Sequence, residues 1–99
     1  MLRTALLLTA LALSACDYGQ TRSSFQSKVA GKSLDEAISS AGKPARQETR
    51  TSGDVVLVYE KKTFDSENMN TKDATVLVTF KKDEKTGALQ YWGIEFIPL

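Results

Sequence analysis

One thiol, no imidazole and no second cysteine are what this 99-residue chain offers to nucleophilic or metal chemistry. The thiol, Cys16, ends the run MLRTALLLTALALSAC, in which Arg3 precedes an apolar stretch over residues 5–13 and small residues stand just before the cysteine. A positive start, an apolar centre and a small-residue exit make a secretory signal. The apolar stretch is shorter than the roughly 20 residues a helix needs to span a bilayer. The expectation is therefore that residues 1–15 are a signal peptide that is removed, and not a permanent anchor. At the cleavage point a nucleophilic thiol stands where an ordinary signal would carry any small residue.

The rest of the chain is poorly equipped for catalysis. No serine has a histidine base, and no pair of carboxylates is fixed on one element by spacing. Asp35 and Glu36 are adjacent, but a helix start explains them. With no histidine, no second cysteine and no carboxylate cluster at ligand spacing, neither a metal nor any other cofactor is expected, and the domain reads as no enzyme. Without Arg3 the chain keeps 12 basic and 12 acidic side chains. No run of like charge exceeds pairs such as Lys61-Lys62 and Lys81-Lys82, so nucleic acid is not an expected partner.

Leu13-Ser14-Ala15-Cys16 resembles the bacterial lipobox. That resemblance implies a diacylglycerol on the thiol, cleavage that exposes the Cys16 amine, and often a further acyl chain on that amine. At ~0.8 kcal/mol per buried methylene, two or three chains hold a protein to a membrane far more durably than one. Cys16 is the only cysteine, so the mature domain has no internal disulfide even in an oxidising compartment. Cleavage leaves 84 residues, enough for one small domain held by packing alone.

The elements that must position any binding site follow from caps and periodicity. Residues 16–22 read as the lipidated cysteine and a short polar tether, and residues 23–99 as a single domain. Ser23 or Ser24 is expected to cap a brief helix whose apolar pair is Phe25 and Val29. Ser33-Leu34-Asp35-Glu36 forms a capping box that opens a second helix over residues 34–41. Its apolar stripe is Leu34, Ala37, Ile38 and Ala41, and Gly42 and Pro44 end it.

Beyond Pro44 the pattern alternates, and strands are expected over residues 45–51, 55–62, 74–82 and 88–97. Val55, Leu57 and Tyr59 share one face of the second strand, Val56 and Val58 the other, which places that strand inside the sheet. In the third strand Ala74, Val76, Val78 and Phe80 face the core. In the fourth Trp92, Ile94 and Phe96 share a face. Residues 63–73 read as an eleven-residue polar loop, and long loops of that kind are often binding elements, here with Phe64 and Met69 as apolar contacts. Tyr59, Phe80, Trp92 and Phe96 are otherwise expected to pack, Trp92 being the one suited to anchor an interface. The expected fold is α+β, two short helices on an antiparallel β-meander of three to four strands, a two-layer sandwich.

Gly31-Lys32-Ser33-Leu34-Asp35-Glu36-Ala37, Gly42-Lys43-Pro44, Val58-Tyr59, and Thr75-Val76-Leu77-Val78-Thr79-Phe80 followed by Gly87 resemble, in order and spacing, the SmpA/OmlA (BamE-like) family of small bacterial lipoproteins. The match covers roughly residues 29–96. The resemblance implies a periplasm-facing lipoprotein that binds envelope proteins in outer-membrane assembly or integrity, with membrane lipid as its other partner through acylated Cys16. A secreted inhibitor or immunity-like lipoprotein that binds one envelope enzyme or transport component is the alternative, because β-lactamase-inhibitor proteins have similar α+β sandwiches. The family resemblance favours the outer membrane, whereas Asp17 after Cys16 resembles the inner-membrane retention signal of enteric bacteria. Oligomeric state is not readable from the sequence.

Overall fold

A computed structural model describes residues 19–99; the signal segment, Cys16 and Asp17 lie outside the described residues. The chain order is β1 (Gln20–Thr21), α1 (Arg22–Val29), α2 (Leu34–Ala41), β2 (Arg46–Thr49), β3 (Val55–Glu60), β4 (Thr63–Asp65), β5 (Thr71–Lys82) and β6 (Leu89–Pro98).

Each helix begins and ends where local chemistry dictates. The α1 cap is Thr21, whose hydroxyl accepts from the Ser24 amide at 3.1 Å, so Ser23 and Ser24 lie inside the first turn instead of capping it. At α2 the Ser33 hydroxyl accepts from the Glu36 amide at 3.3 Å and the Glu36 carboxylate accepts from the Ser33 amide at 3.1 Å. This reciprocal pair is the expected capping box. Gly42, at φ 97°, ends α2 in a conformation that a side chain rarely adopts.

The sheet has six strands and is mixed, where a four-stranded antiparallel meander was expected. Two differences account for this. Gln20 and Thr21, read as the end of a tether, pair in parallel with Thr63 and Phe64 as β1. The ladder on that side of β5 also breaks at Lys61, at φ 55°, so β3 and β4 are successive segments of one hairpin arm. Across the sheet, β1 and β2 flank the β3–β4 arm, then comes β5, and β6 forms the far edge.

The helices cover one face. Phe25, Val29 and Ala37 pack with Val55, Leu57, Tyr59, Val76, Val78 and Phe80, all buried. Phe25 meets Tyr59 edge to face at 5.0 Å between ring centres, a favoured aromatic geometry. The expected faces of β3 and the expected core set Val76, Val78 and Phe80 are those found. Val56 and Val58 are buried on the other face with no helix above them. They lie in register between Glu48 and Arg46 of β2 and Thr79 and Leu77 of β5, the neighbours on that face of the sheet.

Two bulges correct the alternation read from the sequence. Thr79 pairs with Gly93 but Phe80 pairs with Tyr91, so β6 carries one extra residue at Trp92. An extra residue flips every side chain on one side of it. Leu89, Tyr91, Ile94 and Phe96 therefore face the helices, while Trp92 is 63% exposed and does not share a face with Ile94 and Phe96. The second irregularity leaves Ala74 out of register between Asp73 and Thr75. It brings Asp73 to the helix side together with Val76, and Asp73 is fully buried.

Candidate functional site

The expected eleven-residue loop is mostly strand. Thr63–Asp65 is β4 and Thr71 begins β5, leaving a turn over residues 66–70. The turn is stitched locally: the Asp65 carboxylate accepts from the Glu67 amide at 3.1 Å, and the Asn68 carbonyl accepts from the Thr71 hydroxyl at 2.6 Å. Met69 stands at its tip, 94% exposed and at φ 55°. Phe64 is half-buried in β4, in register with Thr21 and Lys72. Phe64 thus belongs to a paired strand and Met69 to a solvated tip.

What converges beside this turn is polar. The Arg22 guanidinium grips Asp73 with two bonds, Nε to Oδ2 at 3.0 Å and Nη2 to Oδ1 at 2.6 Å, across 51 residues of sequence. Its Nη1 lies 3.4 Å from Asp65, and its plane sits 5.2 Å above the centre of the Phe96 ring. The buried Thr63 hydroxyl donates to Asp73 Oδ2 at 2.9 Å, so the carboxylate is held from three directions. Burial pushes the Asp73 carboxyl up, but the hydrogen bonds from Arg22 and Thr63 and the Arg22 charge outweigh it and hold the group below its ordinary value.

This cluster is a clasp and not a catalytic pair. Thr63 and Asp73 are fully buried; the Arg22 bonds tie the start of α1 to the base of the β4–β5 hairpin, and the Thr63–Asp73 bond ties the two arms of that hairpin together. Outside it lies an open depression of about 290 Å³ lined by Arg22, Ser23, Gln26, Asp65, Ser66, Glu67 and Phe96. Arg22 is already engaged by Asp65 and Asp73, and Glu67 adds another acid, so the depression is acidic around an aromatic floor.

Sequence reasoning missed Arg22, Thr63, Asp65 and Asp73. The one available signal was the charge of Asp73 immediately ahead of a clean alternating strand. Its partner lies too far along the chain for any spacing rule to find.

Two separate groups of charged side chains lie on the open face of the sheet. The Lys81 ammonium sits 4.5 Å above the Trp92 ring centre, and Arg46 reaches Glu48 at 2.9 Å and Glu60 at 3.2 Å. Of the four large apolar side chains that are clearly exposed among the described residues, Trp92, Ile97 and Leu99 belong to β6 or the residue after it. Among the described residues no three of His, Cys, Asp and Glu come together in a way that could hold a metal ion. Among them, too, no helix is long and apolar enough to cross a membrane. The chain matches no protein-family model, no curated protein and no solved structure.

Proposed function

We propose that this chain is a lipid-anchored, periplasm-facing protein-binding module of the SmpA/OmlA, BamE-like type. In this reading it supports outer-membrane assembly or envelope integrity by holding other envelope proteins, and it carries out no reaction of its own. The observation that carries the reading is Leu13-Ser14-Ala15-Cys16, with only Asp17, Tyr18 and Gly19 between the thiol and β1. Three extended residues reach roughly 10 Å, so a domain clasped at β1 stands close to its lipid. A helix-covered sheet with an exposed Trp92 supports the reading as a binding module.

The test is palmitate labelling and membrane fractionation of the full chain beside Cys16→Ser. Label on the wild type, with loss of label and release of the variant, is the expected result. A variant that stays in the membrane beside an unlabelled wild type overturns the reading. Fractionating Asp17→Ser then separates the two membranes: an inner-membrane wild type that moves outward identifies Asp17 as a retention signal. Crosslinking in the native membrane distinguishes the partner classes, barrel-assembly proteins supporting this reading and a single hydrolase or transport component the inhibitor alternative.

A further inference from the structure

Charges along the β3–β4 arm are sorted by position. Lys61 and Lys62 stand immediately before β4, whereas Asp65 ends that strand and Glu67 follows it. β1 pairs with β4 in parallel, Gln20 with Thr63 and Thr21 with Phe64, so both chains enter the pairing from the lysine end. A third ammonium is fixed there from α1, because Lys28 Nζ donates to the Gln20 side chain at 2.9 Å. Lys61 is exposed and Lys62 half-buried, and among the described residues no acid forms an ion pair with Lys28, Lys61 or Lys62. Glu60, the nearest acid along the chain, is held by Arg46 at 3.2 Å. The link from Cys16 thus joins the fold where three lysines gather, at the end of β4 opposite its acids.

We infer that Lys28, Lys61 and Lys62 rest on the anionic phosphates of the leaflet that holds the acyl chains, which turns the β1–β2 edge toward the bilayer and β6 away from it. This rests on the lipid-anchor reading and adds an orientation that an anchor by itself leaves free. The two edges lie on opposite sides of β5, since β3 and β4 separate it from β2 and β1 while β6 pairs along its other side. Distance selects the occupant. Asp17, Tyr18 and Gly19 are the whole link between Cys16 and β1. Their reach of roughly 10 Å keeps the lysines about one Debye length from the headgroups, ~8 Å at physiological salt. Lipid phosphates are therefore always within range, whereas an acidic protein would have to enter that gap. Asp17 sets one carboxylate against three ammoniums and does not reverse the sign. Asp65 and Glu67, at the other end of β4, are repelled by the same surface, which reinforces the orientation. Because the attraction is between charges, it does not read the rest of the headgroup.

The experiment uses the protein purified with its acyl chains and placed in vesicles, with bimane on Gln47→Cys of β2 or on Ile97→Cys of β6. Cys16, blocked by lipid, takes no label. Nitroxide carried on lipid headgroups quenches whichever edge lies near the surface. In vesicles of equal parts phosphatidylcholine and phosphatidylserine, quenching at position 47 should exceed that at position 97 by about threefold, and in phosphatidylcholine alone or in ~0.5 M salt the two should be nearly equal. Phosphatidylglycerol in place of phosphatidylserine should give the same ratio. Lys61→Gln with Lys62→Gln should remove most of the difference, Lys28→Gln the rest, and arginine at the same three positions should retain it. Circular dichroism checks each fold, and the variant altered only at Lys61 and Lys62 keeps the Lys28 bond to Gln20, so a loosened β1 cannot imitate the loss. A ratio insensitive to lipid charge or salt, stronger quenching at position 97, no loss with glutamine, loss with arginine, or dependence on which anionic headgroup is used each overturns the inference. Failure of the underlying reading looks different: the chain purified from its host membranes would carry no acyl mass on Cys16.

Discussion

Along one edge of the sheet Arg46, Gln47, Glu48 and Thr49 of β2 are all exposed, and Arg46 pairs with Glu48 and Glu60; along the other, β6 runs ten residues with Glu95 as its one charge. The first edge is also divided between two short strands, β1 and β2, and pinned from beneath by Arg22 on the buried Asp73. Both edges close the same hydrophobic core, so packing alone does not explain the contrast. The charges and the division defend one edge against unwanted pairing and leave the other free to pair. The difference teaches that the two edges are protected unequally although they close one core, and the following variants break or sharpen it.

The largest effect is expected at the clasp. Arg22→Ala leaves the Asp73 carboxylate buried with Thr63 as its one remaining donor in the network, and removing one member of such a pair costs about 3–5 kcal/mol when both are fully buried. Because Arg22 is 30% exposed, the expected loss is nearer about 2–4 kcal/mol, read from urea unfolding. Hydrogen exchange should quicken first in β1 and α1. The same clasp sets an acid limit. The native Asp73 value is depressed, so its contribution is present above the unfolded value of about 3.9 and is lost as pH falls through the lower native value. Asp73→Asn should flatten that part of the stability profile, and an unchanged acid slope would remove the clasp from the account.

A smaller effect is expected where Tyr59 ties down the approach to β2. Its buried hydroxyl donates to the Gly42 carbonyl at 2.7 Å, and burial pushes its pKa up to about 12. Tyr59→Phe should cost about 1 kcal/mol for the lost bond. The alkaline behaviour carries a definite sign: the native value exceeds the unfolded one, so the wild type holds this contribution below about pH 10 and loses it as pH rises toward 12. The phenylalanine variant should lack that decline. Smaller again, and weakening with salt, is the loss expected from Arg46→Ala, because its two ion pairs are exposed. A larger loss there would mean that Arg46 mainly shields Val56 and Val58.

How far the sequence reveals these edges depends on the range of the interaction. Ser33 with Glu36, Gly42 with Pro44, and the alternation from Val55 to Tyr59 act within a few residues, so α2 and β3 were legible nearly to their ends. Gln20–Thr21 has no period of its own and becomes a strand through Thr63 and Phe64, more than forty residues on. Trp92 was placed on the wrong face because a bulge leaves no mark in a run such as Tyr91-Trp92-Gly93-Ile94, where apolar residues occupy both phases. The clasp was invisible for the same reason as β1: Arg22 and Asp73 meet only after the hairpin has folded. Local chemistry thus announced the defended strand β2 and its helix, while the register that shapes the open edge depends on contacts between strands.

The smallest effect on stability is expected from the change that bears most on the comparison. Ile97→Lys puts a charge on the outward side of β6 at a side chain already 38% exposed, where Thr75 is its neighbour across the ladder. Surface changes of this kind usually lie within about 0.5 kcal/mol, so urea midpoints should barely move. The same lysine is the device that protects natural edges, because an added strand would have to desolvate its ammonium group. Introducing it at Ile97 should therefore abolish capture of a partner from a probe at Trp92 while Gln47→Lys on the already charged edge changes nothing. If both lysines reduced capture alike, the two edges would be equivalent in binding, and the contrast between them would concern solubility alone. If neither did, the partner would grip the outward face through Trp92 and Lys81, and the open backbone of β6 would have no part in holding it.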